Sequence, residues 1–208
     1  VQVRQEAPSY RTAMTMQNYM FIDIDGPLLP GKMHLFKQNK EFLAEFSGSD
    51  ADEHIDRFPP LFDPYAVAVH NWLAKEGNAK IVLVTNWRMW FTIEKLQEIL
   101  ANQGLVFDYA DRPSCIKRGL SSARLHDVST HIEDYLPKDS RALVIDDDHG
   151  LLTLNEWFAD DHKSDSNQER LRKNIEFKLL DVDYTNGLTH KQVMDGAKFF
   201  GILGPNLD

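Results

Sequence analysis

The amino-acid sequence predicts an α/β domain in which helices flank a parallel β-sheet. Three short apolar runs carry this prediction: YMFIDID at 19–25, KIVLVTN at 80–86 and RALVIDDD at 141–148. Uninterrupted runs of β-branched and aliphatic residues are typical of strands buried on both faces, as in parallel sheets. Helical patterns separate the runs, and strand–helix–strand alternation predicts right-handed crossover connections.

Helices are predicted in the connections between these strands. Asp63 followed by Pro64 is a favourable N-cap and first-turn pair for a helix that runs to about Gly77. A second pattern, with apolar residues three and four positions apart, stops at Gly104, and a third ends before Pro137. In sheets of this kind ligands bind beyond the carboxyl ends of the strands, where all three apolar runs place polar residues.

Further elements extend the alternation on both sides of an insert. The segment LVFDYA at 105–110 predicts a short strand, and IEFKLLDVD at 175–183 alternates like a half-exposed strand. Thr189 is suited to cap a terminal helix. Residues 27–62 are too long for an ordinary connection, so they predict a small cap or lid inserted after the first strand. The polar segment 159–173 is predicted to be mobile, and the whole chain (1–208) to be one domain.

Composition limits the classes of function. The formal net charge is −9 and no basic stripe is obvious, so the chain is not expected to bind duplex nucleic acid. No stretch reaches the roughly 18 apolar residues that a membrane span needs. Cys115 is the single cysteine, which excludes an intrachain disulfide. Together with an N-terminal segment that lacks an apolar core, this favours the reducing cytoplasm.

The first apolar run ends in two acids. Asp23 and Asp25 are two positions apart along an ending strand, which places both on one side of it. A phosphoryl-transfer site needs a nucleophile and a proton donor for the leaving alcohol, and two carboxylates in different environments can divide these tasks. The alternative is that an apolar strand simply ends in a turn rich in Asp and Gly.

The third apolar run ends in three consecutive acids, Asp146, Asp147 and Asp148. Adjacent carboxylates repel each other unless a cation lies among them. Mg²⁺ takes oxygen ligands and keeps several waters, so two or three carboxylates suffice to hold it. The sequence therefore favours a magnesium site over a solvated acidic turn, and leaves open whether Asp148 takes part.

The second apolar run ends in Thr85 and Asn86, followed by Trp87 and Arg88. A hydroxyl group and backbone N–H groups at a strand end can bind phosphate oxygens. The same residues also make an ordinary turn, so the signal is weak when taken alone. Arg88 is assigned either to the substrate or, as the preferred reading, to an exposed ion pair.

These three motifs, in this order, resemble those of the haloacid dehalogenase (HAD) superfamily over about residues 18–150. The resemblance implies a Rossmann-like sheet and a phosphatase in which Asp23 is the nucleophile and Asp25 the general acid and base. Thr85, with Asn86 beside it, would bind phosphate. Asp146 and Asp147 would hold Mg²⁺ together with the Asp23 carboxylate and the Asp25 backbone carbonyl.

A closer resemblance is to small HAD-like domains associated with RNA repair proteins. Those also show a short DIDG start, a WR pair after the second motif, and a late D-x-D-x-x-GLT element that residues 181–189 match loosely. Pro27 departs from the usual Thr of the first motif. The third motif, a cation that steadies the phosphoryl group, is assigned equally to Lys117 or Arg124, with Arg118 nearby, and a structural cation is the alternative for either.

The predicted function is Mg²⁺-dependent hydrolysis of a phosphomonoester through an aspartyl phosphate. The aromatic residues Trp87 and Trp90 beside the phosphate-binding turn could stack a nucleobase. They are more often core residues, but they point to a nucleotide or a nucleic-acid end as substrate. The alternative class is a catalytically silent protein of the same fold that binds a phosphorylated ligand or a protein partner. The oligomeric state stays open.

Overall fold

A parallel sheet forms the centre of the fold, and its described strands lie in the order β3-β2-β1-β4-β5. The computed structural model describes residues 16–45, 51–57, 59–110, 123–152 and 174–203. Within these ranges the strands are β1 (Gln17–Ile22), β2 (Ala79–Leu83), β3 (Asp108–Tyr109), β4 (Ser140–Asp146) and β5 (Glu176–Asp181). The helices are α1 (Lys37–Glu45), α2 (Ala51–Arg57), α3 (Pro64–Glu76), α4 (Ile93–Asn102), α5 (Ala123–Tyr135) and α6 (His190–Phe199). Short 3-10 turns cover Gly31–Leu35, Asn86–Met89 and His149–Leu151.

The register of the sheet brings the ends of three strands to one level. Ile22, the last residue of β1, pairs with Leu83 of β2 on one side and Ile145 of β4 on the other. All the pairings are parallel, so the residues that follow these strands emerge at the same edge of the sheet. That edge is where the three polar motifs lie.

Alternate residues of the central strand face two separate layers of helices. Met20 and Ile22 belong to the larger cluster of buried apolar residues, with α3, α4 and α6. Tyr19 and Phe21 belong to the second cluster, with α5. A period of two along a strand buried on both faces is what the sequence pattern predicts. The prediction of a Rossmann-like parallel sheet flanked by helices is therefore confirmed.

Capping side chains fix where two helices begin. Asp63 caps α3, since its carboxylate accepts a hydrogen bond from Tyr65 N at 2.9 Å. Thr189 and Gln192 form a reciprocal capping box at the start of α6. The strand expected at 105–110 is shorter than predicted, because only residues 108 and 109 of the outermost strand β3 pair with β2. Val106, at 81% exposure, lies outside it.

The segment after β1 folds onto the body of the domain. Within it, Asn39 is buried and its amide donates to the backbone oxygens of Met33 and Leu61, both at 2.9 Å. This ties the start of α1 to the chain that enters α3. Whether 27–62 opens and closes as a lid stays a prediction, and 159–173 lies outside the described residues. No described helix is both long and apolar enough to cross a membrane.

Candidate active site

Asp23 lies directly beyond β1 and is almost completely buried, with 1% exposure. Its backbone N–H continues the sheet by donating to Ile145 O at 3.1 Å. One carboxylate oxygen, Oδ1, accepts from Ile24 N at 2.7 Å. The other, Oδ2, accepts from Arg124 Nη1 at 2.5 Å. The sheet and these two donors therefore hold the carboxylate in one orientation.

Asp146, the last residue of β4, lies opposite Asp23 and is equally buried. Its Oδ1 accepts from Arg124 Nη1 at 2.7 Å and from Asp148 N at 2.9 Å. Its Oδ2 is buried without a hydrogen-bond partner among the described residues. Burial, and then the charge of Asp23, raise the pKa of Asp146. A cation at Oδ2 would relieve both effects.

Asp23, Asp146 and Asp147 form the acid cluster, in which one oxygen of each carboxylate lies within 4.8 Å of the others. Burial and the charge of Asp23 raise the pKa of Asp147 to about 6. Gly26 makes room for this approach: it has φ +79°, and a Cβ there would lie 2.7 Å from Asp147 Cγ. An all-oxygen donor set with a partnerless buried carboxylate oxygen fits a hard divalent cation such as Mg²⁺.

Arg124 is the cation that the structure brings to the acid cluster. It lies in the first turn of α5, its side chain is 9% exposed, and its Nη1 bridges Asp23 and Asp146. Lys117 and Arg124 are the two candidates for the third motif, and Arg124 lies beside Asp23, the predicted nucleophile. Lys117 and Arg118 lie outside the described residues. Which cation steadies a phosphoryl group stays a prediction.

Asp25 has a hydrogen-bond partner that the acid cluster lacks. Its Oδ2 accepts from the indole Nε1 of Trp87 at 2.9 Å. Burial, followed by the charge of Asp23, raises the pKa of Asp25 to about 7, although the Trp87 hydrogen bond acts in the opposite direction. A carboxyl group with this pKa suits alternate donation and acceptance of a proton near neutrality. Metal ligation by the Asp25 backbone carbonyl stays a prediction.

Thr85 and Asn86 follow β2 at the same edge. Thr85 is fully buried, and its Oγ1 accepts from Trp87 N at 3.2 Å, which caps the 3-10 turn. The hydroxyl can also donate one hydrogen bond, for which the described residues show no acceptor. Asn86 is exposed. Both residues lie at the edge that the acid cluster occupies, and their binding of phosphate stays a prediction.

The sequence favoured a core position for Trp87, which its burial confirms, but it missed the hydrogen bond from Trp87 to Asp25 and the burial of the ion pair of Arg88. Trp87 is 4% exposed, so its ring faces are not available to a nucleobase. It packs against Phe42, Phe62 and Phe91, at ring-centroid distances of 5.4, 6.4 and 6.0 Å. Arg88 pairs with Asp127 at 2.6 Å, but this ion pair is buried and not exposed, since each side chain is 9% exposed. The adjacent Trp-Arg pair directly after a strand-end motif was the available signal.

The D-x-D-x-x-GLT element over 181–189 packs against the segment that follows β1. After β5 the chain makes a tight turn over 183–187, in which Gly187 N donates to Asp183 O at 2.8 Å. This turn docks on the 3-10 turn that follows β1, since Gly31 N donates to Tyr184 O at 2.7 Å. The Tyr184 ring is 45% exposed and meets His34 edge-on at 5.9 Å. Burial raises the pKa of its phenol, and the charges of Asp25 and Asp147 add to this effect.

The parallel sheet, with acids at the carboxyl ends of β1 and β4, defines an HAD-like domain. The model of a protein family described as the HAD domain in Swiss Army Knife RNA repair proteins matches residues 19–193. The chain therefore belongs to this family and to the HAD-like phosphatase superfamily, and the resemblance drawn from the motifs is confirmed. No curated protein and no solved structure gave a match.

Proposed function

We propose that the chain is a Mg²⁺-dependent phosphomonoester hydrolase that acts through an aspartyl phosphate on Asp23. Its proposed substrates carry the phosphate on a nucleotide or at a nucleic-acid end. The observation that supports this most directly is the acid cluster with Arg124 bridging two of its members. Such an arrangement offers a nucleophile, a metal site and a cation for phosphate oxygens within one buried edge of the sheet.

In the first step Asp23 attacks phosphorus in line with the leaving oxygen. A bond forms between a carboxylate oxygen and phosphorus, the bond from phosphorus to the leaving oxygen breaks, and Asp25 gives its proton to that oxygen. In the second step Asp25 takes a proton from water. The water attacks phosphorus, and inorganic phosphate and the free Asp23 carboxylate are released.

Trp87 supports the proton transfers by holding Asp25. Its N–H fixes Oδ2 of the carboxyl group, so Oδ1 is left to face the leaving oxygen and later the water. The indole is itself wedged among Phe42, Phe62 and Phe91, so the donor has little freedom to move. We therefore assign Trp87 as a positioning residue for the general acid and base.

Asp23, Asp146 and Asp147 are the residues that would hold the metal ion. Mg²⁺ bound there would neutralise part of the negative charge that the phosphate adds to a site already rich in carboxylates. Arg124 would contribute to the same end from the side of α5. The remaining chemistry belongs to Asp23 and Asp25.

Two observations favour a nucleic-acid end over a simple sugar phosphate. The family is named for RNA repair proteins. The Tyr184 ring is exposed and the charges of Asp25 and Asp147 act on its phenol, which supports a contact with the group attached to the phosphate. The net charge is −9, and a long contact with RNA needs many cationic side chains. We therefore expect this chain to bind only the terminal nucleotides of RNA.

A release assay for inorganic phosphate tests the proposal. The substrates are 3′- and 5′-phosphorylated RNA oligonucleotides, matched nucleotides and sugar phosphates, each with Mg²⁺ and with a chelator. The expected result is Mg²⁺-dependent release that is fastest from oligonucleotide ends and absent in Asp23→Asn. Tight binding of these ligands without any release by the wild-type chain would favour the silent binding protein instead.

A further inference from the structure

The guanidinium group of Arg88 lies buried against α5, and one of its nitrogens has no hydrogen-bond partner among the described residues. Its Nη2 pairs with Asp127 Oδ2 at 2.6 Å. Its Nη1 is buried and has no hydrogen-bond partner among the described residues. A buried, unpaired donor on a cation is costly, so a side chain of this kind is expected to meet an acceptor in the working state of the protein.

The chain brings Arg88 to the site from the same turn that carries Thr85. Arg88 N donates to Thr85 O at 3.4 Å, within the 3-10 turn beyond β2. Asp127 lies three residues after Arg124 in α5, so both project from one face of the helix. Asp127 therefore holds Arg88 on the side of α5 from which Arg124 reaches Asp23.

The electrostatic surroundings of Arg88 include the reacting group. Burial lowers the pKa of Arg88, and the charge and hydrogen bond of Asp127 oppose that effect. The charge of Arg124 lowers it further and the charge of Asp23 raises it, so the guanidinium is close enough to feel both. Two guanidinium groups that converge on one buried edge repel each other unless an anion is shared between them.

We propose that Arg88 is a second cation of the phosphate site, whose Nη1 donates to a non-bridging phosphate oxygen while Asp127 positions the guanidinium. Arginine is suited to this because its planar group can serve two oxygen partners from fixed directions. The inference rests on the proposed function and deepens it. It takes up the substrate contact that the sequence left open for Arg88 beside the preferred reading of an exposed ion pair.

The test measures the affinity of the wild-type chain and its variants for inorganic phosphate in the presence of Mg²⁺, by isothermal titration calorimetry. Arg88→Gln should weaken binding by about tenfold to a hundredfold, the range for loss of a hydrogen bond to a charged group. The phosphate affinity of Arg88→Lys should lie between those of the wild-type chain and Arg88→Gln, since lysine keeps the positive charge but not the planar guanidinium group. The surface variant Arg141→Gln is the control, because Arg141 pairs with Glu176 where β4 and β5 begin, at the opposite edge.

A double variant separates phosphate binding from a merely structural ion pair. Arg88→Met combined with Asp127→Leu removes both charges, so neither is left buried alone and the fold is expected to persist. Under the proposal its phosphate affinity stays as low as that of Arg88→Gln. Recovery of wild-type affinity in the double variant would overturn the proposal, because the pair would then serve only packing.

The outcomes distinguish this inference from the proposed function. If the wild-type chain releases phosphate from its substrates while Arg88→Gln binds phosphate as tightly as wild type, the inference fails and the hydrolase proposal stands. If phosphate binds through Arg88 but no substrate is turned over, the hydrolase proposal fails and the inference stands. A wild-type chain that neither binds phosphate nor releases it from any substrate contradicts both.

Discussion

The acid cluster and the turn beyond β2 occupy the same edge of the sheet but are built in different ways. In the acid cluster the proposed chemistry rests on carboxylates at the ends of strands β1 and β4, so the backbone ladder itself sets their positions. In the turn over 85–88 the side chains of Trp87 and Arg88 are held by partners far away in the sequence. Trp87 donates to Asp25, and Arg88 pairs with Asp127 on α5.

This difference shows how the two kinds of residue depend on the fold. The backbone of an acid at the end of a strand is fixed as soon as the sheet forms, so its position follows from the local sequence pattern. The indole and the guanidinium acquire their roles only when the insert and α5 have packed against the sheet. Changes in the acid cluster should therefore abolish chemistry, whereas changes in the turn should weaken it selectively.

The largest effect is expected for Asp23→Asn. The amide cannot attack phosphorus, so kcat should fall by at least about 10³ while the circular dichroism spectrum is retained. The measurement is single-turnover release of phosphate from the best substrate of the screen. Activity close to that of wild type would break the comparison, because the acid cluster would then hold no nucleophile.

Next in size is the loss of the cation on α5. Arg124→Gln should reduce kcat by roughly 10² to 10³, the range for removing one group that stabilises developing negative charge. Lys117→Gln serves as the matched variant for the other candidate of the third motif. If Lys117→Gln has the larger effect, the bridge from Arg124 to Asp23 and Asp146 is structural and Lys117 takes the catalytic role.

Asp147→Asn should weaken Mg²⁺ binding about tenfold or more, since changes to groups that only support metal ligands already cost this much. The affinity for Mg²⁺ is obtained from the dependence of the midpoint of thermal unfolding on the Mg²⁺ concentration. Asp148→Asn is the matched control, because the Asp148 carboxylate caps the following turn by accepting from Gly150 N at 2.9 Å. Equal losses for both variants would extend the metal site to Asp148.

Trp87→Phe tests the contribution of the turn over 85–88 to the proposed chemistry. It keeps an aromatic ring against Phe42 and Phe91 but removes the N–H that holds Asp25. We expect kcat to fall about tenfold for alkyl phosphates, the loss of one hydrogen bond to a charged group, and much less for a nitrophenyl phosphate. A nitrophenolate leaves without protonation, so equal losses on both substrates would indicate damage to packing only. Trp90→Phe, at an exposed position, is the control.

The smallest effect on kcat is expected for Tyr184→Ala. If the ring stacks on the terminal base, its loss costs about 1–3 kcal/mol in binding, seen as a higher KM for oligonucleotide ends with little change in kcat. Hydrolysis of glycerol phosphate should be unaffected, because that substrate has no base. A rise in KM on both substrates would contradict a contact with the base, and Tyr184→Phe should retain most of the wild-type affinity.

The sequence was sufficient for the sheet, its flanking helices and the strand-end acids. Apolar runs such as MFI before Asp23 and LVI before Asp146 report burial on both faces, and parallel strands end at one edge by geometry. The pattern could not foresee the hydrogen bond from Trp87 to Asp25, 62 residues apart. Nor could it foresee that Asp127 reaches Arg88, 39 residues away. Hydrophobic periodicity tells which faces are buried, but not which polar atoms meet once those faces have packed.

Gly26 has a consequence for the way that diverged members of such a family are compared. A methyl group at this position would overlap Asp147 Cγ, and the backbone there has φ +79°, which side chains rarely adopt. An alanine would therefore displace a carboxylate that is 121 positions away in the printed sequence. A related chain could therefore keep every acid of the three motifs and still lose the position of its proposed metal ligand through a single added methyl group.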